Sequence, residues 1–545
     1  MSINRRVRRR YLLIGSPPTP NGRAHLGHIA GPFLRLDVLA RHLSVLGDEA
    51  VLVSGSDSYD MYVLLTARKE GKPPEEIAAR CHAAMEADLR AMDIGLAAFI
   101  DPMSAPWASV YEELLTETIA RLIRAGATES RRERVLYSPT TGRHIIACWL
   151  LGGCPTCGAE AGGYFCEACG AFFRPELIRN PHPRFDEGPL EWRRAEPLYL
   201  RSSAPSRLVD TWDVMGIGAA FQAAGRRFLA EHGATFPLTQ PGSWGIPWKS
   251  GQGQSDQVLF SYGALHQYLR LFGAAYGSIT GRQVNAFDAD SGVASILAFG
   301  IDNVIPYLVP TIGIALEDPG SKPCDHYLIN YFYELEGAKF STSRGHVIWG
   351  LDMARTPAGS DAARCYLAKV NPEYGPASFN VDDFVGFVNA FLVGRLDPLI
   401  QRRWQQQQAL RVHPTAPPAS LVGRLGSLME EREAVLDPRH FNLAGSVDQL
   451  ETWLTMEPNA GEGASAAYWW LKGLSLLAYP LMPKLGSALW SALGQPGTPS
   501  LAEFRATTEP TADIEIPRFT SLAAADLAHC LPETLIRDPL ALRRS

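Results

Sequence analysis

The sequence predicts an α/β protein: a parallel-sheet core, an inserted cysteine-rich knuckle and a C-terminal α-helical bundle. Three observations predict it. Residues 11–57 read as strand, turn, helix and strand, a βαβ unit, whose strands are parallel. Two CxxC pairs fall between 154 and 169, in a Gly-rich stretch without helical period. Beyond 380 the apolar residues recur at helical spacing, with Phe384, Phe387, Phe391 and Leu392 on one face.

The first strand is YLLIGS (11–16), closed by the turn SPPTPNG. The next helix carries Phe33, Leu36, Leu39, Leu43 and Leu46 on one face, and Pro32 should bend it or delay its start. The second strand, AVLVSGSD (50–57), ends in Gly, Ser and Asp. Ligands bind beyond the carboxyl ends of parallel strands, so the turns 16–28 and 54–60 should share one cleft. Helical patterns fill 75–93 and 109–125, and a second α/β portion runs from about 240 to 330. Segments 406–420 and 491–516 read as loops, and no internal repeat is present.

The chain has 545 residues, of which 46% are hydrophobic, enough for roughly three or four globular domains. No stretch approaches the roughly 20 apolar residues of a membrane span. The apolar run after the N-terminal arginines is too short for a secretory signal, so a cytoplasmic protein is expected, with a monomer favoured. A net charge of −6 argues against a general nucleic-acid coat but leaves room for a local basic face. Arginines 5, 6, 8, 9 and 10 read as a solvated tail. Nine cysteines, four of them clustered, fit reduced thiols and a metal site better than a disulfide framework.

Four motifs carry chemistry. HLGH (25–28) puts His25 and His28 around Gly27 at a helix N-terminus, where amides and dipole favour phosphate. Isolated, such a pair is often only a cap. GAKFSTSRGH (337–346) offers Lys339, Ser341, Ser343 and Arg344 to phosphate oxygens; on its own it is an ordinary surface turn. It follows HLGH by about 310 residues. Cys154, Cys157, Cys166 and Cys169 have the spacing of a tetrahedral, structural Zn²⁺ site, two disulfides being the competing reading. Asp57, at a strand's carboxyl end, suits a substrate ammonium; its alternative is a helix cap.

Together these segments resemble the class I aminoacyl-tRNA synthetases, and within them the methionyl enzymes, over roughly residues 11 to 490. KEGKPPEEIAARCH (69–82), WGIP (244–247), FGID (299–302) and LLAYPLMPKLGSALW (476–490) add to the likeness. The resemblance implies a nucleotide-binding, Rossmann-like core that joins an amino acid to ATP and passes it to tRNA, with Mg²⁺ on the phosphates. It implies His25, His28, Lys339 and Arg344 as catalytic residues. ATP would meet Pro18, Asn21, Gly27, Gly300, Ser341 and Ser343. The amino acid would meet Ser16, Thr19, Asp57, Leu259, His266, Asp302, Asn303 and Tyr307. The implied domains are 1–115 and 241–330 for the two halves of the core and 116–240 for the insertion, with its knuckle at 150–172. They continue with 331–379 for the second signature loop, 380–490 for an anticodon-binding-like bundle, and 491–545 for a tail.

The chain also departs from the pattern. Thr342 stands where the second signature loop usually has its second lysine, and Pro17, Pro18 and Thr19 where methionine enzymes read Leu-Pro-Tyr. Leu259 falls on a pocket tryptophan, His266 near a pocket tyrosine, and Tyr307 on a histidine. Asn389 and Arg395 match the anticodon-end stretch only loosely. Arg402, Arg403 and Trp404 are RNA-contact candidates, and Trp453 reads as bundle core. These departures favour an amino acid more polar than methionine. Three readings follow: a methionine–tRNA ligase, a paralogue activating another amino acid for tRNA, a carrier or a small molecule, and a non-catalytic relative. The intact HLGH, Asp57 and Lys339 argue against the last.

Overall fold

In the computed structural model, β1 (Arg10–Gly15), β2 (Glu49–Gly55), β3 (Ala98–Ile100), β4 (Ala294–Gly300) and β5 (His326–Asn330) form one parallel sheet. Their order is β5-β4-β1-β2-β3. The structure describes residues 8–166, 168–248, 256–408, 416–456, 463–508, 510 and 514–537. Leu13 pairs with Ile296 on one side and Leu52 on the other. Leu12, Leu13 and Ile14 are all fully buried, because helices cover both faces of a parallel sheet and the strand needs no polar alternation. The strand order reverses between β1 and β4. That switch point opens a crevice beyond Gly15 and Gly300.

The helix after β1 starts at Leu26–His28, widens into a π turn over Ile29–Phe33 and continues as Leu34–Val45. Pro32 lies inside the wide turn; it lacks an N–H and its ring crowds the preceding turn, and the widened turn accommodates both. Helices Pro74–Ala91 and Trp107–Arg124 follow. The division expected at 115/116 falls inside the second of these, and that at 240/241 inside the strand Thr239–Pro241. The insertion is built from short antiparallel sheets, one of them Leu150–Gly153 with Glu160–Gly162 and Arg179–Pro183.

The C-terminal bundle includes Ala419–Val435, Leu443–Leu454, Gly463–Ala478 and Pro483–Ala492. Trp453, Trp469, Trp470 and Trp490 are fully buried in it, and the Trp453 indole N–H donates to the Trp470 carbonyl at 3.2 Å. Arg364 clamps this bundle to the core. It is fully buried, pairs with Asp37 at 2.6 Å, and donates to the Met92, Pro480 and Leu481 carbonyls.

Both chain ends correct their expectation. Arg8 pairs with Glu49, Arg9 with Asp48 and Glu433, and Arg10 donates to the Ser291 carbonyl. They are tied to the fold while Arg8 and Arg9 stay exposed to solvent; arginines 5 and 6 lie outside the described residues. The expected tail packs on the bundle through Phe504, Ile516, Leu522 and Leu527. Asn389 binds the Leu522 backbone in both directions at 2.8 Å. Arg403 is buried, with its guanidinium 5.7 Å from the Trp470 ring, which removes it from RNA.

His42 is fully buried, and neither ring nitrogen has a partner among the described residues. Burial, with Arg432 nearby, pushes its pKa down to about 3. The unfolded chain therefore binds a proton that the folded chain refuses between about pH 6.5 and 3, and stability falls as pH drops through that window. His42→Leu should flatten the acid limb of urea-unfolding midpoints between pH 7 and 5. An unchanged slope would contradict the assignment.

Candidate active site

Three loops meet at the switch point. The first is the turn after β1, which is laced to the turn after β2. The Asp57 amide donates to the Pro18 carbonyl at 3.0 Å, Thr19 Oγ1 to Asp60 Oδ2 at 2.9 Å, and Thr66 Oγ1 to the Asn21 carbonyl at 3.3 Å. The shared cleft expected from the two polar turns is therefore formed.

The third loop is GAKFSTSRGH, and it docks on HLGH. It is a hairpin, with Ser341 and His346 exchanging backbone hydrogen bonds. Phe340 stacks on the His25 ring at 4.8 Å, and the His25 and His28 rings stack at 3.9 Å. Thr342 approaches Gly22. Lys339 is exposed, its ammonium 4.3 Å from the Phe332 ring. Arg344 is exposed on the next turn; the side chain of Ser343 lies outside the described residues. A Cβ on Gly27 would fall 3.0 Å from the His25 ring and 3.3 Å from Phe340. Close packing of these rings thus requires the glycine.

Hydrogen bonding fixes the tautomers. The Gly27 amide donates to His25 Nδ1 at 3.1 Å, and the His25 amide to His28 Nδ1 at 3.2 Å. Burial lowers the His25 pKa well below its ordinary value, with His28 adding to the effect, and burial lowers His28 to about 4. Both rings are neutral at pH 7. With Nδ1 accepting, each carries its proton on Nε2, and the pair offers two N–H donors.

An ion cluster that the sequence did not make legible anchors this docking. Arg23 contacts Asp88 at 2.7 Å and Asp352 at 3.1 Å, and lies 5.3 Å from the Trp349 ring. Asp88 is fully buried and also accepts the Ala24 and Leu351 amides. Arg23→Ala leaves that carboxylate without its cation and should cost about 2–3 kcal/mol in unfolding free energy. It should also slow any reaction needing both signature loops. Unchanged stability and rate would exclude the anchor role.

A cavity of about 800 Å³ opens between the core and the insertion. Asn21, Asp60, Gln240, Tyr262, Asp302 and Thr342 line one part of it, and Glu160, Gly163, Tyr164 and Phe165 of the knuckle the other. Of the expected residues, Asn21 and Asp302 are on its wall. Ser16, Thr19, Asp57 and Tyr307 do not line it. Asp57 Oδ1 accepts from Tyr268 at 2.8 Å, and Tyr307 exchanges a 2.8 Å hydrogen bond with Ser16. Burial raises the Asp57 pKa well above its ordinary value, Asp60 adds to it, and Tyr268 and Ser261 oppose. Gly300 lets Asp302 fold back: a Cβ there would meet Oδ1 at 2.6 Å. Asn303 is half-buried on the adjacent turn and does not line the cavity.

Two expected residues are misplaced. His266 faces Ser321, its Nε2 3.3 Å from Oγ, with Arg270 and Arg121 nearby. Tyr268, two positions on and about 200° around the helix, meets Asp57 instead. Leu259 faces a small apolar cavity with Leu115 and Ile119, whereas Phe260, just past the end of the strand, reaches the large one. Asp60 and Gln240 are the residues that sequence reasoning missed, while Tyr262 and Tyr268 are reached by shifting the alignment two or three positions.

The four knuckle thiols form a separate cluster, all Sγ atoms lying within 4.8 Å of one another. Cys154 and Cys169 are 3.8 Å apart, and Cys157 and Cys166 3.7 Å. Four thiolates about 2.3 Å from one zinc would stand about 3.8 Å apart, the edge of that tetrahedron; disulfide sulfurs would stand about 2.05 Å apart. Each CxxC turn closes on a glycine with left-handed backbone, Gly158 (φ 79°) and Gly170 (φ 69°). These residues can hold a metal ion.

The family model for tRNA synthetases class I (M) matches residues 12–404. A methionine–tRNA ligase of Rubrobacter xylanophilus is 28% identical over 425 residues, covering 72% of this chain and 70% of that protein. One from Chlamydia pneumoniae is 25% identical over 527 residues, covering 89% and 92%. The structure of Mycobacterium tuberculosis methionyl-tRNA synthetase in complex with methionyl-adenylate superposes with a TM-score of 0.71 at 17% identity, covering 94% of this chain and 99% of that one; this likeness is one of fold. With that model spanning both signature loops and every strand of the core sheet, the chain belongs to the class I tRNA synthetases, in the branch of the methionine–tRNA ligases.

Proposed function

We propose that this chain joins an amino acid to ATP, releasing pyrophosphate, and passes the aminoacyl group from its adenylate to the 3′ end of a tRNA. The observation that carries this is the pair of neutral imidazoles, each with Nδ1 accepting a backbone N–H and a proton left on Nε2. As the amino-acid carboxylate attacks the α-phosphorus, negative charge grows on the phosphate oxygens, and the two fixed N–H donors stabilise it. Lys339, with Arg344 and Ser341, holds the departing pyrophosphate, and Mg²⁺ on the phosphates supplies further positive charge. Pro18, Asn21, Gly27 and Gly300 bound the nucleotide; Asp57 receives the α-ammonium. No covalent enzyme intermediate is needed. Cys154, Cys157, Cys166 and Cys169 would hold a structural Zn²⁺, which would fix the knuckle residues that line the cavity.

A second reading concerns the amino acid. Asp60 and Gln240 put polar groups on the cavity wall that a thioether does not require, and the Gln240 Oε1, left unpaired by methionine, would cost about 1–3 kcal/mol. We therefore read the chain as a paralogue for a more polar amino acid. ATP–pyrophosphate exchange screened over all amino acids tests both readings. Exchange should depend strictly on added amino acid, with methionine at least about tenfold poorer in kcat/KM than the best substrate. Methionine preferred over all others would return the chain to ordinary methionine–tRNA ligases. No exchange with any amino acid would refute activation itself.

A further inference from the structure

The turn after β2 carries two carboxylates, and only one is needed for an α-ammonium. Asp57 is buried, and its Oδ1 accepts a hydrogen bond from Tyr268 at 2.8 Å. Asp60, three residues on, lines the cavity while being nearly fully buried. Its Oδ1 accepts the Tyr62 amide at 2.8 Å, and its Oδ2 accepts Thr19 Oγ1 at 2.9 Å. A carboxylate has about four acceptor positions, so two remain for a ligand. Among the described residues no arginine or lysine pairs with either carboxylate, and the neighbouring Asp60 charge pushes the Asp57 pKa further up. The cations that line the cavity are engaged elsewhere or exposed: Arg184 donates to the Cys148 carbonyl at 2.8 Å, and Lys69 is exposed.

A second, independent feature stands beside Asp60. Gln240 lines the same cavity and is 98% buried, its exposure being 2%. Its Nε2 donates to Met61 Sδ at 3.2 Å, which leaves Oε1 as a buried acceptor with no partner among the described residues. An orphaned acceptor of this kind is costly unless a ligand supplies the donor. Met61 directly follows Asp60, so the carboxylate and the amide oxygen belong to one patch of wall. That patch offers acceptors and negative charge. An ammonium, with three donors and a positive charge, answers both.

We propose that the amino acid activated here carries a second cationic group, an ammonium on its side chain, received by Asp60 and Gln240 while Asp57 receives the α-ammonium. The substrate class is a diamino acid. This deepens the proposed function and rests on it. Asp60 sets specificity, held in place by Thr19, and the Thr19 hydroxyl at the expected aromatic position is explained as Asp60's donor. A neutral side chain in the same place would leave a buried carboxylate and a buried carbonyl without donors.

The full-length protein is assayed by ATP–pyrophosphate exchange with 2,4-diaminobutyrate, ornithine and lysine, against norleucine and methionine. The best diamino acid should exceed norleucine in kcat/KM by about 10²-fold or more, the scale by which a site built for a polar group rejects an analogue lacking it. In Asp60→Asn the diamino-to-norleucine ratio should collapse to below about tenfold. Gln240→Leu should lower the same ratio by less. A merely structural role for Asp60 would lower all substrates together and leave the ratio intact, which overturns the assignment. If the wild-type protein prefers methionine or norleucine, the diamino specificity is wrong while amino-acid activation stands. If no amino acid supports exchange, activation fails and the specificity falls with it.

Discussion

Replacing His28 by alanine should lower amino-acid-dependent pyrophosphate exchange by about 10²- to 10³-fold, the usual loss for one preorganised transition-state donor. The loss should appear in kcat, because the donor meets charge that exists only as the adenylate forms. Alanine also removes the acceptor of the His25 amide and the ring stacked on His25, so the neighbouring donor loosens as well. His28→Gln retains an N–H donor and should recover part of the rate. The pH dependence is a separate check. Burial holds His28 near 4, so its protonation belongs below pH 5, and the imidazole stays neutral as pH falls from 8 to 5.5. An imidazolium acting with its ordinary pKa would instead give a limb near 6.5. Lys339→Ala should cost a comparable factor. If His28→Ala exchanges pyrophosphate as fast as its parent, the phosphate assignment is wrong.

The second large effect is loss of the knuckle metal. Purified protein should hold about one zinc per chain, and serine at Cys154, Cys157, Cys166 or Cys169 should abolish it, since each thiolate is one of four arms. Zinc release measured with a chromophoric chelator gives the stoichiometry. The parallel sheet should survive, because its strands draw their packing from helices outside the knuckle. Activity should not escape: Glu160, Gly163, Tyr164 and Phe165 line the large cavity, and Tyr164 packs on Phe260 with centroids 4.9 Å apart. A slack knuckle should therefore raise the KM for the amino acid as well as lower stability. Zinc-free wild-type protein with paired thiols would exclude the site.

Much of the fold and the chemistry was legible because it is local. A strand buried on both faces writes itself as YLLIG, and HLGH and the two CxxC pairs place their side chains within a few bonds of one another. Backbone geometry alone brings His25 Nδ1 to the Gly27 amide. At Pro32 the sequence announced an irregularity, and the structure made it a π turn rather than a delayed start. Trp453 was read as bundle core, and it is fully buried there.

What remained hidden depends on phase and on distance along the chain. His266 and Tyr268 differ by two positions, and an error of that size turns a helix residue to the far side. Leu259 and Phe260 differ by one, at the end of a strand, and reach different cavities. Only packing of the helix Leu265–Thr280 against its neighbours fixes which of them sees the cavity. Arg23, Asp88 and Asp352 are up to 329 positions apart, and nothing in their spacing reveals that they close into one cluster. The ion pairs of Arg8 and Arg9 were hidden because their partners, Glu49, Asp48 and Glu433, are brought near by the fold. The sequence by itself determined the reaction class, since that chemistry is carried by contiguous signatures. Tertiary structure alone decided which carboxylate faces the cavity, because Asp57 and Asp60 share one turn and only the wall packed around it separates their surroundings.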